Sequence, residues 1–453
     1  MSKIIIPAKP EDVTWTDDQW KAIMAKGRDI LVAAAAGSGK TAVLVERIIQ
    51  KILSEEQPID VDQLLVVTFT NASAAEMRHR IGEALEKAIN EHPHSRHLKK
   101  QLTLLNKASI STLHSFCLEV IRRYYYLIDI DPGFRIADDT EVQLIRDEVI
   151  DALFEDEYGR ADNESFFNLV DSFTNDRSDE ALQTIVQSIY DFARANPQPE
   201  AYLQSIISMY DVSAVEKIED LAFVESLLFD IELQLEAAKE MIVRALEMTK
   251  LPEGPAPRAE TYLADLQLIE LLMKAKQDSW EALYQALLTL SFPTAKRLKK
   301  GEYDEELTAK AQKLRDNAKK KIQTLRAELF SRKPESFLRD MSEMHSLIVT
   351  LVKLVVEFSK RFEKVKIEKG LVDYADLEHY CLEILTAEVS SSGEFIPSDA
   401  ALSYRSQFKE VFVDEYQDVN MVQESILKLV AKEDEEAGNL FMVGDVKQSI
   451  VRP

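Results

Sequence analysis

A chain of 453 residues, 46% apolar and 30% charged, carries enough apolar material for two or three packed domains; its 12 glycines and 14 prolines favour long helices over an all-β or disordered chain. Two cysteines, Cys117 and Cys381, exclude a disulfide framework and a thiolate metal site, and point to a reducing cytoplasm. The net charge of −24 speaks against a uniformly basic nucleic-acid binder, yet 13 Lys/Arg stand against 6 Asp/Glu between positions 295 and 333, a local +7 that leaves −31 elsewhere.

The first residues, Met1-Ser-Lys-Ile-Ile-Ile-Pro7, hold too short an apolar run for a signal peptide. The run from Leu347 to Val356 is interrupted by Lys353, so no membrane span is expected. Trp15-Thr-Asp-Asp-Gln-Trp20 reads in two ways: as a capped helix start, or as placing Gln19 where a bidentate amide could read adenine. Residues 29–35 form the first apolar strand, running into Ala34-Ala-Ala-Gly-Ser-Gly-Lys-Thr41 and then a helical pattern. A small-residue loop of this kind turns backbone N–H groups toward phosphates: Ala36, Gly37, Ser38 and Gly39 line it, Lys40 reaches the β/γ-phosphates and Thr41 ligates Mg²⁺. It departs from G-x-x-x-x-G-K-[ST] at Ala34. The strand at 64–70 ends in Thr68-Phe69-Thr70-Asn71, where Phe69 either stacks on a base, with Thr70 and Asn71 on backbone phosphates, or closes the core. A further strand, 109–112, leads into Leu113-His114-Ser115; no second metal-type ligand stands at coordination spacing from His114.

Between about 120 and 370 the pattern becomes helical, with three-and-four spacing in Glu141–Glu155, Val215–Met248, Glu260–Leu288 and Ser342–Lys366, and a Pro-rich break at Leu251–Pro257. The basic stretch 295–333 fits a duplex-DNA grip and equally a solvated helix face. Asp376, in Val372-Asp-Tyr-Ala-Asp-Leu377, reads as a helix cap. Strands return at 411–415 and 439–444. The first ends in Asp414-Glu415, a metal-holding carboxylate and a base for water; the second runs into Gly444-Asp445, with Gln448 placed to sense a γ-phosphate. The phosphate loop and the acidic strand must meet in one site. The fold class is therefore α/β: a P-loop NTPase domain with a parallel sheet and helices on both faces, carrying a large all-α insertion. Its parts are 1–120, the inserted 121–370, and a return at 371–453. A kinase or GTPase leaves Thr68–Asn71 and Tyr416–Asp418 without a role.

The ordered set of Gln19, the loop at 34–41, Thr68-Phe-Thr-Asn71, Ser111-Thr-Leu-His-Ser-Phe116, Val413-Asp-Glu-Tyr-Gln-Asp418 and Gly444-Asp-Val-Lys-Gln-Ser449 resembles the UvrD/Rep-type superfamily 1 DNA helicases, which tolerate alanine at the first loop position. Ile6-Pro-Ala-Lys-Pro10, Trp15–Trp20, Pro132-Gly-Phe-Arg-Ile-Ala137 and the long helical insertion resemble the AddA branch, helicase/nuclease subunits of bacterial double-strand-break resection complexes. The resemblance implies a RecA-like domain, ATP and Mg²⁺ as cofactors, single-stranded and duplex DNA as partners, and a heterodimeric AddB-type nuclease subunit. It gives Lys40, Glu415 and Gln448 catalytic roles, Thr41 and Asp414 the metal, Gln19 adenine, and Phe69, Thr70, Asn71 and His114 the DNA. Val451 and Pro453 depart from the family, which has aromatics there. A second RecA-like domain, with arginines completing the ATP site, and a nuclease domain are expected to lie outside this sequence. ATP binding with weak turnover follows as the expectation, against the alternative of a silent nucleotide- and single-strand-binding fragment.

Overall fold

The computed structural model describes residues 6–11, 13–35, 37–54, 58–174, 178–299, 301–432 and 438–445; Ala36 and Gln448 lie outside them. The chain forms two compact units, one of Met1–Gly159, Gln183–Tyr202 and Val355–Pro453, the other of Arg160–Leu182 and Leu203–Leu354. Helix Asp139–Gly159 belongs to the first unit, although its sequence lies inside the helical stretch 121–370.

The first unit is built on a five-stranded sheet: β1 (Ile30–Ala33), β2 (Leu64–Thr68), β3 (Ser109–Thr112), β4 (Glu410–Val413) and β5 (Leu440–Gly444), in the order β1-β5-β4-β2-β3 with every pairing parallel. The three inner strands are continuous apolar runs because both of their faces are covered. Period-two alternation then divides their side chains between two cores. Leu64, Val66, Phe412, Phe441 and Val443 pack on α1 (Asp17–Met24), α2 (Lys40–Ile52), α3 (Asn71–Glu91) and α4 (Arg96–Leu104). Leu65, Val67, Val411, Val413 and Leu440 pack on α5 (Leu113–Tyr124) and on helices Tyr374–Leu385, Asp399–Gln407 and Met421–Val430. The fold is thus a parallel sheet with helices on both faces, as the strand pattern predicts. Two short strand pairs, Arg135–Ile136 with Leu371–Val372 and Thr386–Val389 with Phe395–Pro397, have no counterpart in the sequence reading; runs of two to four residues carry too little periodicity.

Buried polar groups fasten this unit. Arg47 on α2 donates to the carbonyls of Ala22, Ile23 and Ala25 at 3.0, 3.0 and 2.7 Å, closing the C-terminal end of α1. Its Nη2 meets Glu410 of β4 at 3.4 Å, where Lys51 also pairs. The guanidinium lies 4.6 Å from the centre of the Phe441 ring. Helix α1 is thereby tied to α2 and the sheet, which fixes the height at which Gln19 is presented. At helix Tyr374–Leu385 the N-cap is Asp373, not Asp376. Asp376 is its reciprocal partner three residues on, each carboxylate taking the other's backbone N–H at 2.9 Å. Both also hold the buried Lys366, at 2.7 and 2.6 Å.

The second unit is helical. Val224–Met248, Ala259–Asp278, Trp280–Thr289 and Glu305–Leu329 enclose a core of Ile231, Leu235, Leu272, Leu283, Ile322 and their neighbours. Within it Arg315, from the basic stretch, meets the fully buried Asp265 at 2.5 and 3.1 Å and the Pro293 carbonyl at 2.6 Å. Among the described residues no helix is long and apolar enough to cross a membrane.

Candidate nucleotide and single-strand site at the sheet edge

Parallel strands end together, so the loops after all five share one edge. The register pairs Ala33 with Gly444, Val413 with both Met442 and Val67, and Thr68 with Thr112. Read along the edge, the phosphate loop comes first, then Gly444-Asp445, then Asp414-Glu415, then Phe69-Thr70-Asn71, and last His114. At about 4.8 Å between strands the edge spans roughly 19 Å.

The loop takes its shape from two glycines, Gly37 at φ +75° and Gly39 at φ +83°, the left-handed region that L side chains rarely adopt. Gly39 is the N-cap of α2 and has no side chain to satisfy the first-turn N–H groups, which leaves them for an anion. The loop begins where Ala34 N–H donates to the Gly444 carbonyl at 3.0 Å. Lys40 lies 9% exposed, and its ammonium donates to the Ala34 carbonyl at 3.2 Å, curled over the loop it would share with a phosphate. Thr41 follows in the first turn of α2.

Gln19 lies against this loop. Its Nε2 donates to the Ser38 carbonyl at 2.9 Å, while its Oε1 accepts from Thr16 N–H at 2.9 Å in a capping box. The amide is therefore both a cap and a latch on the loop; pairing with adenine requires exchanging both bonds.

Asp414 N–H donates to the Val67 carbonyl at 2.9 Å, and the carboxylate accepts from Glu415 N–H at 3.2 Å. Burial, and next the neighbouring Glu415 charge, push the Asp414 carboxyl up to about 6, against the pull of Lys40 and Arg80. A half-buried carboxyl pair short of positive charge suits a hard divalent cation. Glu415 holds a left-handed backbone, φ 55°, at a cost of about 1–3 kcal/mol for a residue with a side chain. That turn swings the chain off the strand into Tyr416–Asp418.

Gln417 fixes the turn and was not singled out in the sequence. Its Nε2 donates to Glu415 Oε2 at 2.7 Å and to Asp418 Oδ2 at 3.3 Å, and its Oε1 accepts from Asp445 N–H at 2.9 Å. A Cβ on Gly444 would stand 2.8 Å from Gln417 Oε1, so glycine there makes room for the amide. The available signal was its place two residues beyond Glu415.

On the far side, Phe69 is 53% exposed, which removes the core alternative. Thr70 caps α3, accepting from Ser73 N–H at 3.0 Å, and Asn71 opens the helix, exposed. His114, at the start of α5, pairs through Nε2 with Glu378 Oε1 at 2.9 Å. Glu378 also escaped the sequence reading, because its partners lie far away along the chain.

Gln417→Ala and Gly444→Ala both release Glu415 from the β5 end. If this edge binds and hydrolyses Mg·ATP, each variant is expected to lower turnover about 10–100-fold while nucleotide affinity stays within about threefold, and the pair to do no more than either alone. Steady-state hydrolysis with equilibrium nucleotide binding measures this; fully additive losses would separate the two residues.

The model of the UvrD/REP helicase N-terminal domain matches residues 15–452. The chain is 58% identical, over 98% of its length, to the A subunit of the ATP-dependent helicase/nuclease of Bacillus cytotoxicus, and 57% identical over the same share to that of Bacillus cereus. It spans 36% of the length of each. The sheet, the loop at 34–41 and the Asp414-Glu415 turn thus stand in a matched stretch covering nearly the whole chain, and the chain belongs to the UvrD/REP helicase family.

Proposed function

We propose that this chain binds Mg·ATP at the sheet edge and couples its hydrolysis to movement along single-stranded DNA, as the leading part of a helicase that processes broken DNA ends. The observation that carries the reading is the register. It puts the loop of Lys40, from near the start of the chain, and Asp414-Glu415, from near its end, on either side of the β5 end, with Phe69, Thr70, Asn71 and His114 farther along the same edge.

In this reading the left-handed loop and the α2 N-terminus hold the phosphates, Lys40 balances β/γ charge, and Thr41 and Asp414 hold Mg²⁺. When bound, the cation polarises the phosphate oxygens and restores charge balance at Asp414. Glu415, fixed by Gln417, orients the attacking water and accepts its proton. Gln19 lies where adenine would exchange for its present bonds, and Gln448, outside the described residues, is assigned the γ-phosphate by resemblance. Phe69 offers an exposed ring for base stacking, with Thr70 and Asn71 at a helix start suited to a backbone phosphate. The relatives are named helicase/nuclease subunits. A cytoplasmic heterodimer with an AddB-type subunit follows as a proposal, and none of the described residues is assigned nuclease chemistry. In the second unit, Lys313 and Lys320 lie exposed on helix Glu305–Leu329, the side presented to duplex DNA in this proposal.

Lys40→Ala is expected to weaken Mg·ATP binding by about 10–100-fold while leaving oligo(dT) binding within about twofold, as read by titration with a fluorescent nucleotide and a labelled oligonucleotide. Unchanged nucleotide affinity would remove the phosphate-loop assignment. Lys40-dependent binding without DNA-stimulated turnover would favour a binding module. Replacing Lys313 and Lys320 by Glu is expected to make the log–log salt slope of duplex binding shallower by about one to two. An unaltered slope would return that helix to a solvated face.

A further inference from the structure

Glu378 lies in helix Tyr374–Leu385, only 3% exposed, in a part of the first unit that the nucleotide chemistry leaves unused. Its carboxylate accepts three hydrogen bonds: from His114 Nε2 at 2.9 Å, from Asn420 Nδ2 at 3.0 Å and from Gln423 Nε2 at 2.6 Å. Burial works against the charge, but these donors outweigh it and hold the carboxyl below its usual range. An ionised carboxylate can only accept, so the hydrogen sits on His114 Nε2. The other ring nitrogen has no hydrogen-bond partner among the described residues, and the His114 side chain is 37% exposed.

The other two donors have a definite place. Asn420 is the N-cap of helix Met421–Val430 and Gln423 its third residue, paired in a capping box, on the segment that follows the Asp414-Glu415 turn. Both side-chain oxygens serve the cap, and both amide NH₂ groups point to Glu378. One carboxylate therefore joins the start of α5, where the DNA edge ends, to the helix behind the catalytic carboxylates.

We propose that Glu378 is a positioning residue that sets the ring and tautomer of His114 for contact with single-stranded DNA and ties that contact to the carboxylate turn. The proposal rests on the reading of His114 as part of the DNA edge. Removing the carboxylate leaves the imidazole held only by the Tyr374 ring, 4.9 Å away at a tilt, and releases its hydrogen-bonding direction, which DNA then has to order at its own expense.

The test measures binding of a fluorescein-labelled oligo(dT) to the full chain by anisotropy, with thermal melting as the fold control. Glu378→Gln turns an amide NH₂ either against Asn420 or against Gln423 and His114, and is expected to weaken oligo(dT) binding about fivefold. His114→Ala should cost a similar factor, and the double variant no more than either single. The exchange Glu378→Gln with Asn420→Asp rebuilds an amide–carboxylate pair on the Oε2 side, keeps an N-cap acid and leaves Oε1 to accept from His114 and Gln423, and should restore affinity to within about twofold. Wild-type affinity in Glu378→Gln, or losses that multiply in the double variant, would overturn the proposal and leave the DNA edge intact. A wild-type chain that binds no oligo(dT) would overturn the DNA-edge reading and this proposal with it.

Discussion

The parallel register of the central sheet is the constraint on which everything else depends. Parallel strands need crossovers, so sequence-distant segments end side by side at one edge. Because β1 pairs with β5, and β5 with β4, the phosphate loop and the carboxylate turn flank the end of β5 although nearly the whole chain separates them. Shifting β5 by one residue would turn Phe441 and Val443 out of their core and move Gly444 away from the Ala34 N–H. Burial of the strand therefore guards the geometry of the site.

That edge is held by amides bridging between strands rather than by large charged clusters. Gln19 latches the loop from one side, Gln417 ties Glu415 to the β5 end, and Asn420 with Gln423 bind Glu378. Each amide both gives and takes hydrogen bonds, so it links two elements without carrying a charge that would compete with phosphate. Such links are also exchangeable. In the proposed reading a nucleotide beside Ser38 would meet the Gln19 latch, and Asp445 is one side chain, Gln417, away from Glu415. Arg47 acts in the opposite sense. Bound through Nη1 to three carbonyls and through Nη2 to Glu410, it holds α1 against α2 and the sheet.

Much of this was legible in the sequence, for physical reasons. Inner strands buried on both faces are unbroken apolar runs, so Leu64–Val67 and Val411–Val413 announced themselves, and the glycines of 37–39 mark a backbone that little else can adopt. Phe69 illustrates the limit: a strand-end aromatic reads equally as core or as platform until its exposure is known. Asp373 and Asp376 share a capping box, and composition alone does not tell which is the cap. Gln417 and Glu378 were missed because their meaning lies in partners such as Asp445, His114 and Asn420, brought near by the sheet and its packed helices. The basic stretch had two readings, and the structure spends part of it internally: Arg315 is consumed by Asp265, and Lys319 stands 5.4 Å over Phe292.

The central claim, that one edge runs from a nucleotide end to a DNA end with the carboxylate turn between, is tested most directly by hydrogen exchange of the full chain with each ligand separately. Mg·ATPγS is predicted to slow exchange at 37–43 and 414–418, and oligo(dT) at 69–73 and 113–116, since bound ligands protect the amides they engage. Protection of 69–73 and 113–116 by nucleotide with no change at 37–43, or of 37–43 by oligo(dT) alone, would contradict the account.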